Sequence, residues 1–450
     1  MASLALPAAL VGDGLRVPCI DGAERPYVSF DAAASTSALP AVMEAVEAFA
    51  PWYAGVHHGA GYKSQASALA YQSAHLAALA FAGRGGDSRD VAVFCRNTTE
   101  AISHLAYRLG LGRDDVVLTT VAEHYSNLLP WARLTTCRFV DCGRDGTFAP
   151  EDVAAALDQR PAPRLLAITG ASNVTGWLPP LPEIIALAHH RGIPVLVDAA
   201  QLAAHRPLPL EADFLAWSGH KMYAPFGAGV LVGPRRMFAA GDPFLVGGGA
   251  ATVLDLDEVA WLDPPEREEA GSPNVIGAVA LHAAIGSLED IGWPAIASHD
   301  RRIAWSLRRG LAAIPGVRLL GPGLDTETLP VATFTVDGVP DAVVAARLAA
   351  EDAIGVRHGS FYAYPYLARL LGLSPAEART SAYQACHNGG GARLGAVRAS
   401  AGINTSEQDV ARLLTAIARL VASEPPVRYL RDPSTGDFYP TTAGARAASR

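Results

Sequence analysis

Residues 213–233, DFLAWSGHKMYAPFGAGVLVG, are the stretch around which the chain is interpreted. Two apolar, strand-like runs flank a polar turn that contains glycine and proline. The turn places Lys221 between the two strands. Burying an ammonium is costly unless it is paired, so a lysine here is expected to have a lowered pKa or to react. The predicted reaction is a Schiff base with a carbonyl group. For these residues alone, a surface lysine in a hairpin is the alternative.

Length, composition and charge limit the class of protein. The chain has 450 residues, enough for two or three domains; half are hydrophobic and 18% are charged. No apolar run approaches the roughly 18 residues that span a bilayer. The net charge of −8, without a basic block, argues against nucleic acid or membrane partners. Five cysteines without CxxC or zinc-like spacing, and no signal peptide, predict a cytoplasmic protein without a metal site.

Strand-like and helical segments alternate through most of the chain. Apolar strands are predicted near residues 91, 116, 165, 194, 214 and 229, with helices between most of them. This alternation predicts an α/β fold with a mostly parallel sheet, helices on both faces and ligand sites at the carboxyl ends of the strands. A dinucleotide-binding sheet is the competing interpretation. However, no GxGxxG follows the first strand, and the glycine run 247–249 lies in mid-chain.

Chemically useful side chains follow several of these strands. Thr98 and Thr99 stand at a strand-to-helix junction, where backbone N–H groups can hold phosphate, although Thr98 suits a helix cap equally well. His124 follows the next strand, where a structural hydrogen bond is the commoner role. Asp198 closes an apolar strand, and a buried carboxylate is costly unless it is paired. Arg398 suits either a two-pronged grip on a carboxylate or a structural ion pair.

In combination these segments resemble the class V aminotransferase family of pyridoxal-phosphate enzymes, which includes cysteine desulfurases and selenocysteine lyases. The resemblance covers roughly residues 27–422, and its motifs lie at 31–36, 56–59, 97–102, 123–131, 172–176, 218–223, 269–274 and 397–405. It implies the PLP-dependent transferase fold type I. The expected parts are a lead-in (1–30), a large PLP-binding domain (31–300), a smaller α+β C-terminal domain (301–423) and a tail (424–450).

The resemblance also implies the roles of individual residues toward pyridoxal 5′-phosphate. Lys221 holds the cofactor as a Schiff base and, once free, removes the α-proton; His124 stacks on the pyridine ring; Asp198 pairs with the ring N–H⁺. The other implied cofactor contacts are Thr98, Thr99, Ser218 and His220 with the phosphate, Gln201 with the ring hydroxyl, Asn173 near O3′, and Ser272 with the phosphate of the neighbouring subunit. Ser272 therefore implies a homodimer with shared active sites.

The substrate end of the site departs from the desulfurase pattern. By resemblance, Arg398 and Asn173 orient the carboxylate of an amino-acid substrate, and His57 and His58 lie close to it. His58 stands where arginine is usual, and Gly61 where desulfurases tend to carry a second histidine. Both changes argue against free cysteine as the substrate.

The loop at residues 355–363 carries the clearest departure. Tyr362 occupies the place of the desulfurase cysteine that takes up sulfur as a persulfide, and it is a predicted substrate contact. Tyrosine cannot carry sulfane sulfur. Cys386, in a glycine-rich segment, is interpreted as a loop cysteine rather than a substitute.

We therefore predict a PLP-dependent lyase that breaks the C–S bond of a cysteine conjugate or cysteine sulfoxide. An aminotransferase or epimerase of the same family is the alternative, because the carbanion at Cα can also be reprotonated. A true cysteine desulfurase and a catalytically silent binding homologue complete the set of hypotheses.

Overall fold

The structure, a computed structural model, describes residues 6–57, 59–85, 89–254, 258–387 and 394–441. Predicted site residue His58 lies outside this part of the chain, and so does the side chain of Cys386. The residue at position 386 itself belongs to a helix rather than to a loop.

The secondary structure alternates between strands and helices along most of the chain. The strands are β1 (Arg16–Pro18), β2 (Glu24–Pro26), β3 (Val28–Ser29), β4 (Asp90–Cys95), β5 (Val116–Thr120), β6 (Thr136–Val140), β7 (Leu165–Thr169), β8 (Val195–Asp198), β9 (Phe214–Ser218), β10 (Gly229–Pro234), β11 (Ala251–Leu254), β12 (Val259–Trp261), β13 (Val317–Leu320), β14 (Val331–Val336), β15 (Ile354–Gly355), β16 (Arg357–Gly359), β17 (Ala396–Ser400), β18 (Tyr429–Arg431) and β19 (Phe438–Pro440). The helices are α1 (Pro40–Phe49), α2 (Tyr62–Phe81), α3 (Thr98–Arg108), α4 (Leu129–Leu134), α5 (Pro150–Leu157), α6 (Leu181–His189), α7 (Arg235–Ala239), α8 (Val275–Ile291), α9 (Trp293–Ala312), α10 (Asp341–Asp352), α11 (Tyr364–Leu370), α12 (Pro375–His387) and α13 (Glu407–Ala422).

A seven-stranded sheet with the order β4-β10-β9-β8-β7-β5-β6 forms the centre of the larger part of the protein. From β9 to β6 the neighbouring strands are parallel, whereas β10 runs antiparallel to both β9 and β4. The predicted α/β fold with a mostly parallel sheet is confirmed. The edge strand β6 was not predicted, because it is only partly buried and carries Arg138, so its sequence lacks a continuous apolar run.

The central strands are buried on both faces, which explains their uniformly apolar sequences. Every residue of β5, β7, β8 and β9 is buried. Alternate side chains enter opposite halves of the core: Leu118 and Val197 face one hydrophobic cluster, and Val117 and Leu196 face the other. A parallel sheet covered by helices on both sides requires this pattern.

A second, four-stranded antiparallel sheet has the order β13-β14-β17-β16. Its own apolar core includes Phe334, Leu348 and Leu413 and is packed by α9, α10 and α13. Helix α9 begins at Trp293, and Pro294 occupies its first turn, where a missing N–H costs nothing. The boundary predicted near residue 300 therefore lies inside α9, and the domain limits remain a prediction.

Both the lead-in and the tail contain β-strands. The lead-in carries the antiparallel pair β1–β2 and the strand β3, which pairs in parallel with β15. The tail contains the antiparallel hairpin β18–β19. Among the described helices, no single one is long and apolar enough to cross a membrane; α8 and α9 pass that test only together, as a pair bent by 81°.

Candidate active site

A cavity of about 400 Å³ lies where the parallel strands of the large sheet end, as predicted for an α/β fold. Most of the residues singled out in the sequence line it. They are Thr98, Thr99, His124, Asn173, Asp198, Gln201, Ser218, His220, Lys221, Tyr362 and Arg398.

Lys221 ends a short 3₁₀ turn, Gly219–Lys221, that connects β9 to the segment leading into β10. Gly219 allows this turn to pack tightly, since a Cβ there would lie 3.1 Å from the carbonyl oxygen of Ala224. Burial lowers the pKa of the Lys221 ammonium to about 8; Asp198 opposes this shift and Arg398 adds to it. The amine is therefore partly neutral near pH 7 and available as a nucleophile or base.

Asp198, the last residue of β8, places a carboxylate at the cavity while only 5% of the residue is exposed. Its Oδ1 accepts a hydrogen bond from the Ala200 N–H at 3.0 Å. Burial raises the pKa of this carboxyl, and the nearby Lys221 charge partly offsets the shift. A cationic N–H in the cavity would complete the hydrogen bonding of this carboxylate.

The amino terminus of α3 forms a polar corner of the cavity. Asn97, not Thr98, caps the helix: its side chain accepts the Glu100 N–H at 3.0 Å. Thr98 instead contacts Ser218, whose Oγ lies 2.7 Å from the Thr98 backbone nitrogen and 2.6 Å from its hydroxyl oxygen. A helix N-terminus with hydroxyl groups of this kind is suited to an anion such as phosphate.

Two histidines at the cavity are held in the neutral form. Burial, together with the charges of Lys221 and Arg398, lowers the pKa of His124 to about 4. Burial and then Lys221 lower the pKa of His220 to about 4. The His124 Nδ1 accepts the Ser126 N–H at 3.1 Å, which places the ring proton on Nε2.

Arg398 on β17 is buried and only partly paired. Nη1 donates to the Asn173 carbonyl at 2.9 Å, Nη2 lies 3.3 Å from Oδ1 of Asp31, and the Phe361 ring centroid is 5.1 Å from Cζ. Its Nε has no partner in the described part of the chain. Burial lowers the pKa of Arg398 to about 10, so it remains charged. Arg357 pairs with the same Asp31 at 2.6 Å.

A strained turn brings Phe361 and Tyr362 to the cavity. Both residues have left-handed backbone angles, φ 55° and 56°, a conformation that costs about 1–2 kcal/mol per residue. Hydrogen bonds hold the turn: Asn173 Nδ2 donates to the Phe361 carbonyl at 2.9 Å, and the Tyr125 N–H donates to the Tyr362 carbonyl at 2.8 Å. The Tyr362 ring lies 5.7 Å from that of His124.

Two predicted residues do not line this cavity. The first is His57, whose ring contacts the carbonyl oxygen of Gly271 at 3.1 Å and lines a separate cavity of about 510 Å³. The second is Ser272, which follows Gly271 in the chain and does not line the main cavity. Gln201, the predicted partner of the ring hydroxyl, does line the main cavity. Its side-chain amide nitrogen already donates a hydrogen bond to the Ala33 carbonyl at 2.7 Å.

Sequence reasoning missed several members of the site. Arg357 and Asp31 belong to segments that had been recognised, yet their ion pair across the small sheet and the cavity mouth was not predicted. The contact of Phe361 with Arg398 and the hydrogen bonding of Ser126 had no sequence signal, because each depends on a turn geometry that periodicity does not report.

Comparison with known proteins agrees with this geometry. The family model described as Aminotransferase class-V matches residues 28–413. The chain belongs to the class V aminotransferase family.

Its relatives are similar over most of the chain. It is 33% identical to a probable cysteine desulfurase of Halobacterium salinarum, over 78% of this chain and 86% of that protein. It is 34% identical to a cysteine desulfurase of Cronobacter sakazakii, over 76% and 86% respectively. Among solved structures, the cysteine desulfurase of Thermococcus onnurineus NA1 matches with a TM-score of 0.78 and 30% identity, covering 88% of this chain and 95% of that one.

This class V protein is a PLP-dependent enzyme of fold type I, related to the cysteine desulfurases. The residues at its cavity fit the cofactor. Asp198 offers a buried carboxylate for the pyridinium N–H⁺, the α3 corner offers hydroxyl groups and backbone amides for the phosphate, and Lys221 offers an amine of lowered pKa.

Proposed function

We propose that this class V enzyme is a C–S lyase that removes the sulfur substituent from Cβ of a cysteine conjugate or a cysteine sulfoxide. The observation that carries the proposal is Tyr362, whose ring lies 5.7 Å from that of His124 at the cavity; by resemblance it occupies the place of the desulfurase cysteine. No cysteine of the described chain lines the cavity. A persulfide requires a thiolate acceptor, so the sulfur leaves together with its substituent.

Lys221 is proposed both to hold the cofactor and to act as the base. When bound, PLP supplies an electron sink for the negative charge that develops at Cα. The Lys221 amine takes the α-proton, and its pKa of about 8 suits a base that works near neutral pH. The buried Asp198 carboxylate would hold the pyridine nitrogen of bound PLP in its protonated, electron-withdrawing form. The hydroxyl groups of Thr98 and Ser218 are proposed to hold the phosphate.

Arg398 and Asn173 are proposed to orient the substrate carboxylate. The first support is the buried Arg398 Nε, which has no hydrogen-bond partner among the described residues. The second is the buried positive charge of Arg398, which a substrate carboxylate would neutralise. Asn173 is already bonded to the turn at Phe361. Its proposed role therefore includes holding that turn against the substrate.

The elimination balances without an added oxidant or reductant. The Cα–H proton passes to the Lys221 amine, its electron pair forms the Cα=Cβ bond, and the Cβ–S bond breaks with both electrons on sulfur. The leaving sulfur takes up the proton that was removed from Cα, and the Lys221 ammonium formed in that step is the proposed donor. Addition of water to the released enamine then gives pyruvate and ammonia.

A homodimer with shared sites is part of the proposal. Ser272 and His57 lie together away from the cavity, whereas the resemblance assigns both to an active site. Large apolar side chains are exposed on α2, among them Leu69 and Leu76, and Val246 is exposed in the segment between α7 and β11. A second copy packed on this surface would bring Ser272 to the partner's phosphate corner.

Product analysis with a substrate panel tests the lyase proposal. The PLP-loaded protein is incubated separately with an S-aryl-cysteine, an S-alkyl-cysteine sulfoxide, L-cysteine and L-alanine, with Lys221→Ala as the control. We expect pyruvate and ammonia in equal amounts from the S-aryl-cysteine and the cysteine sulfoxide only. The S-aryl-cysteine should release an equal amount of thiol, and the sulfoxide should release sulfenic acid, which two molecules convert to a thiosulfinate and water.

Other product patterns select the alternatives. Alanine and sulfane sulfur from free cysteine would make the protein a desulfurase and refute the proposal. Racemised alanine would indicate an epimerase, and a keto acid formed without ammonia would indicate an aminotransferase. A protein that neither develops a visible cofactor band nor turns over any substrate would be a silent homologue.

A further inference from the structure

The carboxyl-terminal hairpin lies outside the family match, which ends at residue 413, yet it packs next to the active-site loop. The register of β18 and β19 pairs Tyr429 with Pro440 and Arg431 with Phe438. An isolated two-stranded hairpin is at best marginally stable in water. Its position must therefore depend on contacts with the rest of the protein.

One end of the hairpin is anchored on α10. The Tyr429 hydroxyl donates to Glu351 Oε1 at 3.0 Å. Glu351 is also paired with Arg347 at 2.8 Å, and this pair is nearly buried. Arg347 Nη1 in turn reaches the Ser423 carbonyl at 3.2 Å, where the tail leaves α13. The start of the tail is thus tied to the small domain.

The other end of the hairpin reaches the loop that borders the cavity. Asp437 Oδ1 lies 3.0 Å from Nε2 of His358 on β16. The second ring nitrogen of His358, Nδ1, lies 3.6 Å from Asp341 Oδ2, and the same Asp341 oxygen accepts the Gly359 N–H at 2.9 Å. Two carboxylates on opposite sides of an imidazole favour its doubly protonated, cationic form.

His358 lies between the two groups that the loop presents to the cavity. Arg357 precedes it and lies opposite Arg398 in the register of the antiparallel strands β16 and β17. The Arg357 side chain donates a hydrogen bond to Asp31. The turn with Phe361 and Tyr362 follows it in the chain. Fixing the backbone at His358 therefore fixes both the Arg357 side of the cavity mouth and the start of the strained turn.

We propose that the hairpin is a clamp: Asp437, with Asp341, holds cationic His358 and so positions the loop of residues 357–362 at the active site. His358 and Asp437 are positioning residues that act through Arg357 and the turn. The catalytic consequence rests on the proposed function of the cavity, whereas the ordering of the loop does not.

The clamp depends on pH with a defined sign. Asp341 and then Asp437 raise the pKa of His358, while partial burial opposes them. The described charges that act on the ring are these two carboxylates, and its neighbour on β17 is the apolar Val397. Because the folded pKa is raised, the clamp is complete below the ordinary histidine pKa and loosens as the pH rises through the raised value.

Amide hydrogen exchange in the full-length, PLP-loaded protein tests the clamp. Asp437→Asn removes the charge, Asp437→Glu restores it, and Glu424→Gln makes the same charge change at an exposed tail position away from His358. Below the His358 titration we expect exchange of residues 357–363 to rise about two- to fivefold in Asp437→Asn, the range for a half-exposed ion pair. Asp437→Glu and Glu424→Gln should match the wild type.

Steady-state kinetics of the same variants test the catalytic consequence independently of hydrogen exchange. For the substrate found in the panel, Asp437→Asn should raise KM more than it lowers kcat, and the fall of kcat/KM above the His358 titration should move to lower pH. Unchanged exchange in the loop would overturn the proposal. A rise spread equally over α10 and β17 would also overturn it, because the hairpin would then only stabilise the small domain. A protein without lyase activity that still shows the loop-specific rise would leave the clamp standing and remove the proposed function.

Discussion

Replacement of Arg398 is the most direct test of how the cavity recognises its substrate. The structure leaves one buried donor of this side chain, Nε, without a described partner, while Nη1 and Nη2 already contact Asn173 and Asp31. Arg398→Lys keeps a positive charge but loses the planar fork, and Arg398→Ala loses both. We expect the alanine variant to bind any α-amino-acid substrate more weakly.

The expected loss of substrate-binding free energy in Arg398→Ala lies at the low end of the range for removing one partner of a charge pair. Removing one partner of a buried charge pair costs about 2–5 kcal/mol. Asp31 remains paired with Arg357 at 2.6 Å when Arg398 is removed, so the protein is not left with an isolated buried carboxylate. We therefore expect about 2–3 kcal/mol, equivalent to a rise of about 30- to 150-fold in KM or Kd.

The assay compares substrates with and without a carboxylate. KM is measured for a substrate from the panel, and Kd for the corresponding decarboxylated amine is measured by titration of the visible cofactor band. Arg369→Ala is the control, because this arginine pairs with Asp141 on another part of the surface. An amine that loses as much affinity as the amino acid in Arg398→Ala, or an unchanged KM, would refute the carboxylate role.

Three further predictions concern the cofactor and the sulfur chemistry. Lys221→Ala should abolish the visible band of the attached cofactor, and an unchanged spectrum would contradict the assignment of this lysine. The rate at which the apo-protein attaches PLP should rise as the pH increases through about 8, because the neutral amine is the nucleophile and burial lowers the pKa of Lys221 to that value; a rate that rises only near the ordinary lysine pKa would argue against a buried amine. Sulfide release from free cysteine should be slow, and mass spectrometry of the peptides should find no persulfide on Cys386; rapid release with a persulfide there would show that Cys386 replaces the missing thiol.

The sequence predicted the sheet and most of the site because both depend on short-range patterns. Fully buried parallel strands require continuous apolar runs, and these identified the strands around Thr98, His124 and Asp198. Because the carboxyl ends of parallel strands meet at one edge of a sheet, residues far apart in sequence could be assigned to one cavity. Pattern alone could not separate phosphate contact from capping at Thr98, and the structure assigns the cap to Asn97 instead.

Other features of the site depend on contacts that no local pattern encodes. The left-handed turn at Phe361 and Tyr362 is held by hydrogen bonds from Asn173 and Tyr125, which lie far away in the chain. The separation of His57 from the cavity likewise follows from how distant segments pack.

The sequence by itself determined which chemical groups were predicted at the site: a lysine in a turn between buried strands, an aspartate at a strand end and a tyrosine at position 362 are properties of residue identity and spacing. The tertiary structure alone decided how Asp31 is shared between Arg357 and Arg398, and where the tail meets His358. The physical reason is that strand and helix periods fix the direction of neighbouring side chains, whereas ion pairs between distant segments depend on the packing of the whole chain.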